Sequence, residues 1–147
     1  MKVPGGTLVL VADGEKALFL RNVGDERSPN LQVERRTCQE NPPTGEQGTD
    51  RPGRMPDTGV RQRSAMEETD WHMLEKDRFA AELADMLYRR ANANDFDRLV
   101  VCAAPHTLGE LRRQFHKIVA GRIIGEIDKD LTNMPVGRIE HLLGKTS

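Results

Sequence analysis

Four histidines and two cysteines are the side chains here best suited to binding a metal or serving as base and nucleophile. Their spacing works against both roles. His72, His106, His116 and His141 are far apart, and Cys38 lies 64 positions before Cys102. There is no CxxC pair and no Cys/His group at ligand spacing, so neither a zinc site nor a disulfide scaffold is expected. Cys102 sits in an apolar run and reads as an inert small hydrophobe. His106 has a better address: it follows Pro105 at the end of that run, and α/β folds place ligands beyond such strand ends.

Acidic residues could instead hold two metal ions for phosphodiester cleavage. The candidates are Asp13, Glu67, Glu68, Asp70, Asp128 and Asp130. Their necessary partner at the end of the central apolar strand is absent, because that place reads Cys102-Ala103-Ala104-Pro105. Simpler roles account for the rest. Asp13 makes a hairpin turn, Glu67, Glu68 and Asp70 favour a helix N-terminus through the dipole, and Asp128 and Asp130 are solvated. No Ser-His-Asp elbow, Walker loop or GxGxxG is present. No cofactor and no metal is implied.

The segment Gln39 to Arg63 is different. Its 25 residues hold four Pro, four Gly, eight charges and two apolar residues, Met55 and Val60. Neither ladder nor helix survives such a composition, and loops this long are usually functional or disordered. Arg51, Arg54, Arg61 and Arg63 make its second half basic, while Glu40, Glu46, Asp50 and Asp57 cancel that charge over the whole.

Around this segment the pattern is regular. "TLVLVA" and "KALFLRN" flank an Asp13-Gly14 turn as a hairpin, and in "LQVERRTC" Leu31, Val33 and Arg35 alternate as in a half-exposed strand. Ser64 to Glu67 has the form of a capping box. Trp71, Leu74, Phe79, Leu83, Met86, Leu87 and Ala91 then mark one face of a long helix, with Asp85 and Arg89 able to pair on its wet side. "FDRLVVCAAP" reads as a strand buried on both faces, central and parallel to a neighbour. A short helix with a basic polar face follows Pro105, then a strand over Arg122 to Lys129. Thr132 or Asn133 caps a last helix with Pro135 in its first turn. This is an α/β order: a three-strand antiparallel meander, then helix, strand, helix, strand, helix. It predicts a single ribonuclease H-like domain over 1–147 with a mixed five-stranded sheet.

The totals bound the function. A chain of 147 residues with 37% hydrophobic and 31% charged residues and a net charge of -1 can bury a core, and it lacks the basic excess of a dedicated polyanion binder. No export signal or apolar stretch of membrane-spanning length is found, so a cytoplasmic protein without a membrane partner is expected.

"TLVLVADGEKALFLRN", "NPPTGEQGTDRPGR", "TDWHMLEKDRFAAELADMLY", "FDRLVVCAAPHTLGELRR" and "EIDKDLTNMPVGRIEHLL" together resemble the bacterial host-attachment protein family. That family is in turn similar to the middle domain of eukaryotic and archaeal class-one peptide-chain release factors. In those factors a Gly-Gly-Gln tripeptide, on the loop before the long helix, positions water against the peptidyl-tRNA ester. Here the corresponding loop holds "GEQG" at Gly45 to Gly48 and "GVRQ" at Gly59 to Gln62. A side chain at the second glycine position limits tight turns and close approach to RNA, so Gln47 is a weak candidate for the missing glutamine.

The resemblance implies a non-enzymatic module that binds RNA or the ribosome through 39–63. Its candidate contacts are Asn41, Gln47, Thr49, Asp50, Arg51, Arg54, Arg61 and Arg63, with Trp71, His72 and His106. Trp71 could stack on a base, although it more readily staples the helix start to the core. The expected partner is the ribosome or tRNA. The alternatives are a hydrolase acting on a tRNA-linked or other nucleic-acid substrate, and a protein-interaction module, homodimer included.

Overall fold

Ten consecutive-strand positions at the centre of the sheet have no exposed surface, and the remaining elements are arranged to cover them. The computed structural model describes residues 2–38 and 65–145, with the backbone alone at 65–73, 75 and 145. Strands β1 (Leu8–Ala12), β2 (Lys16–Asn22), β3 (Leu31–Cys38), β4 (Leu99–Ala103) and β5 (Ile123–Ile127) form one sheet in the order β3-β2-β1-β4-β5. All of β1 and β4 is 0% exposed. The two pair in parallel, Leu8 opposite Leu99 through Ala12 opposite Ala103, and β4 pairs in parallel with β5. The β1–β2 and β2–β3 pairings are antiparallel. This is the mixed five-stranded α/β arrangement expected from the element order.

Alternation along the strands divides the core into two layers. Leu8, Leu10, Phe19, Leu99 and Val101 meet α1 (Ala65–Asn92), α2 (Pro105–Gln114) and the single turn α3 (Lys117–Ala120). Val9, Val11, Leu20, Val100 and Cys102 meet Val3, Leu131 and the helix α4 (Val136–Lys145) through Ile139 and Leu143. Each fully buried Leu or Phe contributes about 1.5–3 kcal/mol of apolar transfer energy, so both layers are needed.

The described buried face of α1 matches the length of one strand. Its buried residues Phe79, Ala80, Leu83, Ala84, Leu87 and Ala91 recur at helical spacing. At 1.5 Å per residue they span about 18 Å, close to the roughly 17 Å of a five-residue strand. Leu74, expected on the apolar face, is 60% exposed because it lies beyond the end of that match. On the wet side Arg89 Nη2 donates to Asp85 Oδ2 at 2.7 Å, as the spacing predicts. Asn94 takes a left-handed φ of 56° just past the helix end.

Three other readings change in detail. Arg35 does not continue the face of Leu31 and Val33, because β3 carries a bulge: Phe19 faces Arg35 while Leu20 faces Val33. The strand expected over Arg122 to Lys129 is present but shorter, as β5 over Ile123–Ile127. Thr132 and Asn133 do not cap α4. The Thr132 hydroxyl is used by Asp13 and Asp130, Asn133 Oδ1 accepts from Lys16 Nζ, and the Pro135 carbonyl opens the helix by accepting from Arg138 and Ile139.

Asn22, fully buried, ties the chain's start to the β2–β3 connection. Its Nδ2 donates to the Val3 carbonyl at 2.9 Å, and its Oδ1 accepts from the N–H groups of Gly24 and Asn30, both at 2.9 Å. Asn22→Leu leaves these groups unpaired, so chemical denaturation should show a loss of about 2–4 kcal/mol; a loss below about 0.5 kcal/mol would refute the role.

At the end of the sheet where β1 starts, four charges join β2, β3 and α1. Arg21 Nε donates to Glu34 Oε2 at 2.9 Å and Arg90 Nη2 to Glu34 Oε1 at 2.7 Å. Arg90 Nε donates to Asp95 Oδ2 at 2.6 Å, with Arg21 Nη2 at 3.3 Å from the same oxygen. Partial burial pushes the Glu34 carboxyl up, but the hydrogen bonds and charges of Arg21 and Arg90 outweigh it and leave the pKa below the ordinary 4.5. A carboxylate with a lowered folded-state pKa contributes stability that is complete above the ordinary value and lost as pH falls through the folded-state one. Stability measured from about pH 6 to pH 3 should therefore fall less steeply in Glu34→Gln than in the parent chain.

Candidate functional site

Strands β1, β4 and β5 are parallel, and two antiparallel steps make β3 run the same way as β1. All four consequently end on one side of the sheet. Asp13 follows β1, Pro105 and His106 follow β4, Asp128 to Asn133 follow β5, and the chain leaves Cys38 there for the segment 39–64. Parallel-sheet folds bind ligands at this side.

The turn after β1 is built by the Asp13 side chain. Its Oδ1 accepts the N–H groups of Glu15 at 2.7 Å and Lys16 at 2.8 Å, while the backbone N–H of Asp13 donates to the Lys16 carbonyl at 2.9 Å. Gly14 keeps out of the left-handed region. Its role is close approach: a Cβ there would lie 2.5 Å from Lys76 Cγ, so the stem of Lys76 from α1 rests on the turn. The Thr132 hydroxyl is 3.2 Å from Asp13 Oδ2 and 2.6 Å from Asp130 Oδ1. Lys16 Nζ donates to Asn133 Oδ1 at 2.7 Å, which closes the β5–α4 connection onto the hairpin.

His106 stands at the start of α2, whose first residue is Pro105 after an extended Ala104. Its Nε2 lies 3.3 Å from Asp77 Oδ1 of α1, and the two side chains are 46% and 38% exposed. Such a pair can orient an imidazole. No hydroxyl or thiol among the described residues is hydrogen-bonded to it. One turn on, the Arg113 guanidinium beside Glu110 holds that carboxyl below the ordinary carboxylate value. The basic face expected of α2 is neutralised in this way, since Arg112 Nε likewise donates to Glu126 at 3.0 Å.

Of the residues singled out from sequence, His106 is at this side of the sheet, and what it gains is the Asp77 contact. Trp71 and His72 lie in the first turns of α1, where the backbone alone is described. Asn41, Gln47, Thr49, Asp50, Arg51, Arg54, Arg61 and Arg63 lie outside the described residues, as does Ser64. Asp13 serves the turn as expected. Asp130 is exposed but not simply solvated, because Thr132 bonds to it. Among the described residues no three His, Cys, Asp or Glu side chains come together as a metal site would require. Cys102 is fully buried, and desolvation pushes its thiol up to about 12, which makes it inert as a nucleophile.

Sequence reading missed Lys76, Asp77 and the Thr132 link. Each depends on a contact between distant parts of the chain, and none has a local signal.

The strand order, with β1, β3, β4 and β5 ending on one side, defines a mixed α/β domain. A model of bacterial archaeo-eukaryotic release factor family 12 matches residues 6–143, and the chain belongs to that family. No curated protein matches it.

If Asp13 acts by shaping the turn, Asp13→Asn should keep nearly full stability, since an amide oxygen accepts the same two N–H groups. Asp13→Ala should lose about 1–2 kcal/mol in denaturant melts, and equal losses in both variants would refute the assignment.

Proposed function

We propose that this chain is a non-hydrolytic module that associates with the ribosome or tRNA through the segment 39–63. The observation that carries the reading is membership of a release-factor family over residues 6–143, combined with a segment before α1 that lacks Gly-Gly-Gln. The family membership supports translation as the setting. The sequence withholds the catalytic tripeptide. Glu46 stands where a glycine would allow close approach to RNA, and its carboxylate would face phosphates.

Two features support a contact role for the segment. It leaves β3 at the side of the sheet where β1, β4 and β5 also end. It also contains Arg51, Arg54, Arg61 and Arg63 beside Asn41, Gln47, Thr49 and Asp50, residue types that hydrogen-bond phosphate and sugar without reading sequence. A role in attachment to host cells, as the host-attachment resemblance implies, would then be an indirect effect of translation. No described helix is long and apolar enough to cross a membrane.

Purified chain should co-sediment with ribosomes or bind tRNA, and affinity should fall steeply as salt rises. The double substitution Arg51→Ala, Arg54→Ala should reduce binding, while Gln47→Ala should leave it intact. Absence of binding at low salt would sink the proposal, and peptidyl-tRNA turnover abolished by Gln47→Ala would replace it with the hydrolase reading.

A further inference from the structure

The β3 bulge shapes the surface at the margin of the sheet. An extra residue in one strand re-aims its neighbours. Here Glu34 has no opposite number on β2, and Glu34 and Arg35, adjacent in sequence, border the same cleft against α1. That cleft has a volume of about 430 Å³ and is lined, among the described residues, by Glu34, Arg35, Met86, Arg89 and Arg90.

Its charges are not equally engaged. Arg90 is fixed by its bonds to Asp95 at 2.6 Å and Glu34 at 2.7 Å, and its guanidinium lies 5.4 Å from the centre of the Phe19 ring. Both Glu34 oxygens are occupied, one by Arg21 and one by Arg90, so the carboxylate of the cleft is spent on the network beneath it. Arg89 gives one N–H to Asp85 and is 69% exposed, and its other donors have no partner among the described residues. Arg35 is exposed and has no hydrogen bond or ion pair among the described residues. Arg35 and the outward donors of Arg89, beside the apolar Met86, are what this cleft offers an anion, while Arg90 is balanced by Glu34 and Asp95.

We infer that this cleft binds the backbone of single-stranded RNA, with Arg35 and Arg89 on phosphates and the Met86 floor under a base or ribose. Guanidinium forks match phosphate oxygens in pairs, and Arg90, held by Glu34 and Asp95, also lines the cleft. The cleft is far larger than one inorganic phosphate, and its apolar floor suits an unstacked nucleotide. The inference rests on the RNA-associated reading above, but its contacts are residues of β3 and α1 and not of the segment 39–63.

The test is binding of a labelled single-stranded RNA oligonucleotide to the full chain over a range of salt, with inorganic phosphate as competitor. Arg35→Ala with Arg89→Ala should weaken binding roughly tenfold or more at low salt and lower the log–log salt slope by about 0.7 for each phosphate no longer neutralised. Both side chains are exposed, so thermal unfolding of the variant should match the parent. Unchanged RNA binding in this variant, with loss in Arg51→Ala, Arg54→Ala, overturns the cleft and leaves the proposed function standing. Loss in the cleft variant with retention in the Arg51/Arg54 variant supports the cleft and removes the segment 39–63. No RNA binding by the parent chain overturns both. Displacement of the RNA by low millimolar phosphate overturns the RNA assignment in favour of a simple anion site.

Discussion

The parallel pairing of β1 with β4 is the constraint from which the rest of the molecule follows. Ten side chains without exposed surface cannot be covered from one face, so helices must lie on both. Parallel neighbours also cannot be joined by a tight turn and need a crossover. The crossover from the meander into β4 is α1, and that from β4 into β5 is α2 with α3. One face therefore receives three helical segments, while α4 and the chain's first residues close the other.

The same pairing fixes where the strands end. Strands that run one way finish together, which gathers Asp13, His106 and the β5–α4 connection and sends the chain outward from Cys38 on that side. The side where β1 starts is locked by charge instead, through Arg21, Glu34, Arg90 and Asp95. Where strands end together, groups from separate elements are held by hydrogen bonds around a turn. Where β1 begins, an ion network fixes β3 to α1 and sets the walls of the arginine-lined cleft.

Much of this was legible from the chain itself, for identifiable reasons. An uninterrupted run such as Leu99 to Ala103 can satisfy its side chains only between two layers, so its central and parallel place could be read directly. The Asp13-Gly14 turn was legible too, although the glycine is there for Lys76 and not for its φ. The β3 bulge was not, because Glu34 and Arg35 are locally as compatible with alternation as without it. The unpaired Glu34 is held by Arg21 and Arg90, residues on other elements. The site divides in the same way. Pro105 after an apolar run flagged His106, but nothing near Asp77 in sequence marks it as the partner.

The bulge also bears on how the protein behaves at high concentration. A strand at a sheet margin offers unpaired N–H and C=O groups to any other extended chain, and long flat apolar margins seed aggregation. Strand β3 carries Glu34, Arg35 and Arg36 in succession, and its ladder to β2 skips the first of them. A second strand laid along it would meet a kink in the backbone and a row of charges to desolvate. The irregularity that opens a cleft for a ligand thus makes the same margin a poor template for self-assembly.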